Sequence, residues 1–599
     1  MKRKKTQLFL TSLLLLAMGT QLAVPALAQG RTYNDYDSIV STGVDLKIVQ
    51  HLTIAQPAKD LTTTASVYYI TGTSNPESPV TINGETVERR GVFGTFGMQV
   101  SLEPGVNTFT VKNGGDTATV TITRDTNVSV AKTKKITGQV PTFNDMAYAN
   151  QEYELKCTAP SGGRVTATVN GKTVELKQNV ATAQDGVPAW YSAKVVLSGS
   201  DTKTENIGKI VYTLTFNGET TTYNSAGTLT LVGKDKKPTV EISQNSASIY
   251  EEDSYSSNFI STLNTGARDK VVDIGTNMVK LSMGGWVKKD YVEIVEGNPS
   301  VINNVADTQY QVSGEGEFLN ISGTSASPFK SYSTSEKIVI KFYNMKDLPK
   351  FSVKNSQLFS QAKVSATDQT VTLELMKKQA NGVLGYSVNY SGDNISVFFN
   401  PMPKLAQGDQ PLQNVTVVVD PGHGGLDSGA LGVLNMKGPW EKDITMASSL
   451  AVKKRLESLG ANVIMTVPTD LSNEYKVELT ERYQIALDSR ADFFISLHCN
   501  SVGGTANDLK PQGTEIYYYE SDSKGFADVL LNNLVSYTGR TSRGTLYGNY
   551  YVTRNTQCPS LLVEMGFVTN PVEYDNMRSG DHIFKIANAV GNSILEYLA

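Results

Sequence analysis

Short runs of alternating hydrophobic and polar residues dominate the chain from about residue 45 to 400. They are rich in Val, Thr, Ile and Tyr and are separated by Gly, Asn and Pro, which is typical of β-strands joined by turns. Two runs end on Asn83-Gly84 and Asn170-Gly171, a dipeptide that favours two-residue hairpin turns. Long amphipathic helical patterns are scarce, so we expect this region to be all-β.

The spacing of the strands predicts four modules. Two of them, at about 45–125 and 130–235, fit β-sandwiches. The third, 240–300, contains the segment GGWVKKDYV, which resembles the closing strand of bacterial SH3-like (small-barrel) wall-associated domains. The fourth, 301–400, ends in alternating strands and resembles β-rich envelope-targeting domains. All four serve either as spacers or as binders of wall polymer or of another envelope protein, and architecture alone assigns neither role.

The pattern changes after residue 400. Residues 401–413 are rich in Pro, Gln and Gly and show no periodicity, which marks a linker. The run from Val415 to Val419 is apolar except for Thr416, as expected for a strand covered on both faces. Helical and strand patterns then alternate to the end, so residues 414–599 are predicted to form an α/β domain with a mainly parallel central sheet.

Length and charge narrow the function classes. A chain of 599 residues is several domains long. Its formal net charge of -4 argues against nucleic acid as a partner, because such binders need a basic face. With only Cys157, Cys499 and Cys558, disulfides cannot be what holds these domains together.

The first residues predict export. Lys2 to Lys5 are basic, an apolar stretch follows, and Ala26-Leu27-Ala28 forms a small-residue cleavage site, so residues 1–28 are interpreted as a signal peptide. The apolar stretch is shorter than the roughly 20 residues that a membrane-spanning helix needs. We therefore expect a secreted protein of the cell wall or periplasmic envelope, without a transmembrane segment in the mature chain.

The chain has four histidines, and two of them stand at the ends of predicted buried strands. His423 lies among glycines that let the backbone turn and leave room beside the imidazole. His498 shares a strand face with Phe494 and Ser496. Ligands of open α/β sheets bind at this edge. A single histidine here would be interpreted as packed and hydrogen-bonded, but two together weaken that interpretation and leave a metal site open. His51 and His582 lack that setting.

Two acidic residues stand out beside them. Glu441 opens a predicted helix that runs to about Leu459, on the same arc as several apolar residues. It either faces the core, where a cation would compensate its charge, or complements the helix dipole in solvent. Glu564 ends an apolar strand, either as a structural carboxylate bonded to backbone amides or as a reactive group.

Five segments carry a resemblance to a known family. In their order and spacing they resemble the zinc-dependent N-acetylmuramoyl-L-alanine amidases, over residues 415–599. The segments are VVVDPGHGGLDSGA, EKDITMASSLAVKKRLESLGANVIMT, LTERYQIALDSRADFFISLHCNS, GTEIYYY and PSLLVEMGFVTNP. Cys499 stands where a small alanine-like residue is usual, and Trp440 where a polar residue is common.

The resemblance implies one Zn²⁺ per chain, held by His423, Glu441 and His498, with Glu564 as the catalytic carboxylate. Such a site would use metal-activated water to cleave the amide between N-acetylmuramic acid and the L-alanine of the stem peptide, so peptidoglycan is the expected substrate and partner. Two other hypotheses are an envelope-binding protein with an idle amidase-like domain and a zinc carboxypeptidase that cuts within the peptide.

Three further polar residues are weaker candidates. Arg543 and Asn500 are possible substrate contacts, although exposed arginines and strand-end asparagines are common. Asp420 either orients a ligand imidazole as a hydrogen-bond acceptor or simply forms the turn before Pro421.

Overall fold

The computed structural model describes residues 49–126, 131–179, 184–301, 305–323, 326–469, 475–502 and 509–599. The predicted signal peptide, 1–28, lies outside these residues. Within them the strands form eight sheets and every α-helix follows residue 440, so the chain is multi-domain and rich in strands. None of the helices in this part of the chain is long and apolar enough to cross a membrane.

The first module consists of two sheets, ordered β1-β3-β6 and β2-β8-β7-β4-β5. Its strands β1 to β8 are Thr53–Gln56, Leu61–Thr63, Val67–Thr73, Val80–Ile82, Glu85–Thr86, Thr95–Ser101, Gly105–Asn113 and Asp116–Arg124. Asn83 and Gly84 adopt φ angles of 51° and 88° between β4 and β5, as the Asn-Gly turn predicts. Ile70, Phe96 and Ile122 are fully buried in one core shared by both sheets.

The second module also has two sheets around one core, ordered β10-β13-β12-β11-β15-β16 and β14-β17-β9. Strands β9 to β17 are Asp145–Tyr148, Glu152–Pro160, Arg164–Val169, Lys172–Gln178, Pro188–Val196, Thr204–Gly208, Val211–Phe216, Glu219–Asn224 and Leu229–Val232. The Asn170-Gly171 turn joins β11 to β12, whose ends pair antiparallel.

The third region forms a single seven-stranded sheet, β20-β19-β23-β22-β21-β18-β24. Strands β18 to β24 are Thr239–Ile242, Ala247–Tyr250, Phe259–Leu263, Arg268–Ile274, Met278–Leu281, Trp286–Lys288 and Val292–Ile294, with a 3-10 turn at Lys289–Tyr291.

The fourth region has two four-stranded antiparallel sheets, β25-β26-β32-β31 and β27-β28-β30-β29, which share one core. Strands β25 to β32 are Asp307–Ser313, Gly316–Ser322, Phe329–Ser333, Lys337–Tyr343, Phe359–Ala366, Thr370–Lys377, Val383–Ser391 and Asn394–Pro401.

The C-terminal domain has a six-stranded sheet ordered β34-β33-β35-β38-β36-β37. Strands β33 to β38 are Thr416–Pro421, Asn462–Met465, Phe493–Asn500, Thr514–Tyr518, Ser542–Tyr547 and Ser560–Phe567. Helices α1 to α5 are Glu441–Ser458, Leu479–Asp488, Ser523–Thr538, Pro571–Arg578 and Gly580–Leu598, and 3-10 turns lie at Asn435–Lys437 and Tyr551–Arg554. The pairs β33–β34, β33–β35, β35–β38 and β36–β37 are parallel, and β36–β38 is antiparallel.

This topology determines where polar side chains meet. Because β33, β35 and β38 run parallel, their carboxyl ends lie at one edge of the sheet. The antiparallel strand β36 begins at that edge. Helix α1 packs on β33 and β35 through a buried face that contains Ile444, Ala451 and Val452. The amino end of α1 thereby comes close to the carboxyl end of β35.

The segment that the sequence marks as a linker, 401–413, lies against the C-terminal domain. Leu412 is fully buried in that domain's core, and Met402 and Leu405 pack against it. The backbone N–H of Leu412 donates to the carbonyl of Leu459 at 2.9 Å. Apolar residues within a Pro- and Gly-rich stretch therefore attach it firmly, despite its lack of periodicity.

Candidate metal centre at the sheet edge

His423 follows β33. Its backbone has a φ of 66°, a conformation that residues other than glycine rarely adopt. The glycine before it makes room for the second histidine, because a Cβ on Gly422 would lie 2.6 Å from the ring of His498. The two imidazole rings are consequently only 4.9 Å apart between centroids. Gly429 plays a similar part, since its Cβ would lie 2.6 Å from both His423 and Glu441.

The two ring nitrogens of His423 have different partners. Nδ1 lies 3.0 Å from Asp427 Oδ1, and Nε2 lies 3.1 Å from Glu441 Oε2. A carboxylate beside Nδ1 favours a proton there and leaves Nε2 as the ligand atom. In the sequence the only sign of this role for Asp427 is its position in the same glycine-rich turn, four residues after His423.

Among the described residues Asp420 hydrogen-bonds to Thr466, Arg482 and Ser496 and to neither imidazole, so of its two alternative roles the orientation of a ligand ring is wrong. It is buried and accepts hydrogen bonds from Ser496 Oγ at 2.6 Å and from Arg482 Nη1 at 2.7 Å. Arg482 in turn donates to the backbone carbonyls of Pro421 and His423, both at 2.6 Å. The Asp420–Arg482 pair thus fixes the backbone that carries His423.

Glu441 is the first residue of α1, and its side chain is only 4% exposed, so it faces the core. Its Oε1 accepts from the backbone N–H of Cys499 at 2.9 Å and lies 3.1 Å from His498 Nδ1. Its Oε2 accepts from the N–H of Ala430 at 2.8 Å. Burial alone would raise the pKa of Glu441, but hydrogen bonds and charge from His423 and His498 hold that pKa well below its usual range.

A row of three side chains crosses the sheet at this edge. His498 on β35 pairs with Glu564 on β38, which pairs with Glu515 on β36. Directly paired residues point to the same face of a sheet. Burial raises the pKa of Glu564 to about 7, with Glu441 and Glu515 adding to the rise and His498 opposing it. Glu564 Oε2 is buried and has no hydrogen-bond partner among the described residues.

The predicted ligands converge. One ligand atom each from His423, Glu441 and His498 lies within 4.8 Å of the others, the single such group of three in the described residues. The other two histidines stay apart from it, as expected: His51 is exposed, 3.3 Å from Asp116, and His582 is buried in α5. Asn500 and Arg543 both bind Glu515, at 2.7 and 2.6 Å.

Comparison with known proteins places this domain in a family. Residues 417–596 match the sequence profile described as N-acetylmuramoyl-L-alanine amidase. The N-acetylmuramoyl-L-alanine amidase CwlM of Bacillus licheniformis is 32% identical over 183 residues, which are 30% of this chain and 67% of the relative. The probable cell wall amidase LytH of Staphylococcus saprophyticus is 30% identical over 222 residues, 37% of this chain and 68% of the relative. The chain belongs to the N-acetylmuramoyl-L-alanine amidase family.

This membership confirms the resemblance seen in the five sequence segments, and peptidoglycan amidase is the function of the C-terminal domain. Among solved structures, the catalytic domain of CwlV from Bacillus (Paenibacillus) polymyxa var. colistinus is 35% identical. The match covers 31% of this chain and 98% of that one, with a TM-score of 0.28.

Proposed function

We propose that this amidase holds one zinc ion per chain between His423, Glu441 and His498, and that Glu564 is its catalytic carboxylate. The observation that carries the proposal is the convergence of the three ligand atoms within 4.8 Å of one another. Two imidazole nitrogens and one carboxylate are a donor set that suits zinc, and three protein ligands are typical of catalytic rather than structural sites.

The surroundings of these side chains fit such an ion. His423 would bind through Nε2, because Asp427 occupies Nδ1. His498 would bind through Nδ1, the atom that faces Glu441. Each oxygen of Glu441 already accepts a backbone N–H, so the carboxylate is fixed before any ion arrives. Zinc bound there would supply a Lewis acid for the scissile carbonyl and lower the pKa of water toward about 7.

Glu564 would act as the general base and then the general acid of the reaction. The directly paired positions of Glu564 and His498 put the carboxylate beside the metal-binding group. A carboxyl group placed there is within reach of the attacking water and of the leaving amine, so it both accepts and returns the proton. Glu564 would take the proton of the attacking water and deliver it to the amine nitrogen of the leaving L-alanine.

The same proposal covers the residues before the amidase domain. Residues 1–28 direct export to the cell wall, 240–300 is an SH3-like module, and the divisions near 125, 235, 300 and 400 separate modules. The β modules then act as spacers or as binders of wall polymer or another envelope protein. Trp190 is exposed, with Lys156 lying over its ring at 4.9 Å, and large aromatic side chains of this type are enriched at interfaces.

The test uses residues 29–599 and purified peptidoglycan. We expect release of intact stem peptides with a free L-alanine amino group, and a fall in activity of about 100-fold or more in Glu564→Gln. Peptides cut internally, seen by mass spectrometry, would favour the carboxypeptidase hypothesis. Full activity of Glu564→Gln would refute the assigned role, and inactivity of the native chain together with strong wall binding would favour an idle amidase-like domain.

A further inference from the structure

Glu515 is a buried carboxylate next to the proposed catalytic residue, and the reaction does not use it. Its side chain is 4% exposed. Oε1 accepts from Asn500 Nδ2 at 2.7 Å and from Tyr517 Oη at 2.8 Å, and Oε2 accepts from Arg543 Nε at 2.6 Å. Three donors fix the position of this carboxylate, so Glu515 acts as an anchor for them.

Glu515 anchors the guanidinium group of Arg543 through only one of its nitrogens. Arg543 on β37 donates to Glu515 through Nε, and within the described residues its two terminal nitrogens make no hydrogen bond. Its side chain is 40% exposed, and the guanidinium carbon lies 5.0 Å from the ring centroid of Phe567. The planar group is therefore held on one edge and one face, and no described residue occupies its terminal N–H groups.

The location of Arg543 relates it to the substrate. Strand β37 is the second strand beyond β38, which places the backbone of Arg543 on the order of 10 Å from that of Glu564. An extended peptide advances about 3.5 Å per residue. A stem peptide whose scissile amide lies at Glu564 would thus bring its second or third residue to Arg543.

We propose that Arg543, oriented by Glu515, binds a carboxylate of the stem peptide about two residues from the scissile amide. This inference rests on the proposed function. Guanidinium groups bind carboxylates through paired N–H donors, and such charge-assisted bonds are stronger than neutral ones. A substrate carboxylate here also needs a cation, because Glu515 and Glu564 would otherwise repel it. The enzyme would therefore distinguish a stem peptide with a free carboxylate from its amidated form.

The test compares two synthetic disaccharide-tripeptides that differ only in whether the second stem residue carries a free carboxylate or a carboxamide. For the native chain we expect kcat/KM to be about 10-fold to 100-fold higher on the acid, as expected for a hydrogen bond to a charged group. Arg543→Gln should lower kcat/KM on the acid by that factor, mainly through KM, and leave the amide unaffected. Arg543→Lys should retain part of the preference.

Arg164→Gln, at an exposed ion pair in the second module, is the matched control and should keep the native ratio. The inference would be overturned if Arg543→Gln lowered kcat/KM equally on both substrates, or if it left the ratio of kcat/KM on the acid to that on the amide unchanged. A binding measurement separates this from the proposed function: calorimetry on Glu564→Gln with the same two compounds needs no turnover. If Glu564→Gln binds the acid and the amide with equal affinity, the carboxylate site is refuted even when the native chain hydrolyses peptidoglycan normally.

Discussion

The side-chain hydroxyl of Thr71 donates a hydrogen bond to the backbone carbonyl of Val433, at 2.7 Å. Gln56 Nε2 donates to the same carbonyl at 3.1 Å. Val433 lies between the two proposed ligands His423 and Glu441 in sequence, in the segment that leads into α1. The first module therefore supports the segment that positions Glu441, although more than 300 residues separate them along the chain.

A buried ion pair holds the same interface at a second point. Asp575 accepts from Thr95 Oγ1 and from Arg578 Nη2, both at 2.6 Å, and from the N–H of Phe93 at 2.8 Å. Asp575→Ala would leave a buried guanidinium without its partner, which costs about 3 kcal/mol. We expect a lower midpoint of thermal unfolding and faster proteolysis after the first module.

Asp581→Ala is the control for this substitution. Asp581 forms an ion pair with Lys585 at 2.8 Å in the next helix, but both side chains are well exposed. Exposed pairs of this kind contribute less than about 1 kcal/mol. Equal effects of the two substitutions on the unfolding midpoint would contradict the idea that Asp575 ties the module to the amidase domain.

Asp427 should determine how tightly the site binds zinc. Asp427→Asn weakens the acceptor for His423 Nδ1, which makes the ring a poorer ligand, and loss of such a partner costs about 10-fold to 100-fold in metal affinity. Competition with a chromogenic chelator measures this affinity without any turnover. Asp488→Asn, at an exposed position in α2, should leave it unchanged, and native affinity of Asp427→Asn would rule out the orienting role.

Gly422 provides a second test of the site's geometry. In Gly422→Ala the new Cβ would come within 2.6 Å of the His498 ring, so the imidazole must move from its position. Displacing a side chain from its preferred rotamer costs about 1 kcal/mol, which predicts roughly a 5-fold to 10-fold loss of zinc affinity in the same competition. Gly115→Ala meets nothing within 4 Å and should not alter it. Identical affinities for both variants would show that the two rings do not need this space.

Asp492 predicts a pH dependence of stability. Burial raises the pKa of Asp492 to about 6, although Thr416 and Asn400 lower it through hydrogen bonds. The unfolded chain loses this proton near pH 3.9, so between about pH 4 and 6 the folded state binds more protons. The free energy of unfolding therefore falls by about 3 kcal/mol as pH rises through that window.

Asp492→Asn removes this titration while its amide oxygen still accepts from the N–H of Thr416. The free energy of unfolding of both proteins is measured in urea at pH 4 and at pH 7. The difference between the two proteins at each pH cancels the contribution of every other titrating group. The variant should gain about 3 kcal/mol relative to the native chain between these pH values. A constant difference across the range would show that Asp492 ionises normally.

The resemblance to the amidase family is what groups the four proposed site residues, because each of them taken singly gives only a partial signal in the sequence. His423, His498 and Glu564 interrupt or end apolar strands, and the start of α1 at Glu441 follows from helical periodicity. Periodicity alone does not tell whether the Glu441 side chain faces the core or the solvent. Its burial in the structure shows that it faces the core.

The supporting contacts could not be predicted, because they depend on the three-dimensional arrangement. Arg482 lies 62 residues from Asp420 along the chain, and its role appears only when α2 packs beside β33. The row from His498 to Glu515 requires the strand order β35-β38-β36, which no local pattern encodes. The docking of the first module is likewise invisible in sequence, since Thr71 and Thr95 look like ordinary strand residues.

Zinc binding by His423, Glu441 and His498 is tested most directly by the zinc content of the purified chain, measured by mass spectrometry of the metal after reconstitution and gel filtration. We expect one zinc per chain for the native protein and for His51→Ala, whose histidine is exposed and remote from the site. We expect almost none for His423→Ala, Glu441→Gln and His498→Ala, each checked for native circular dichroism. Retention of a full equivalent of zinc by these three folded variants would refute the proposed ligand set.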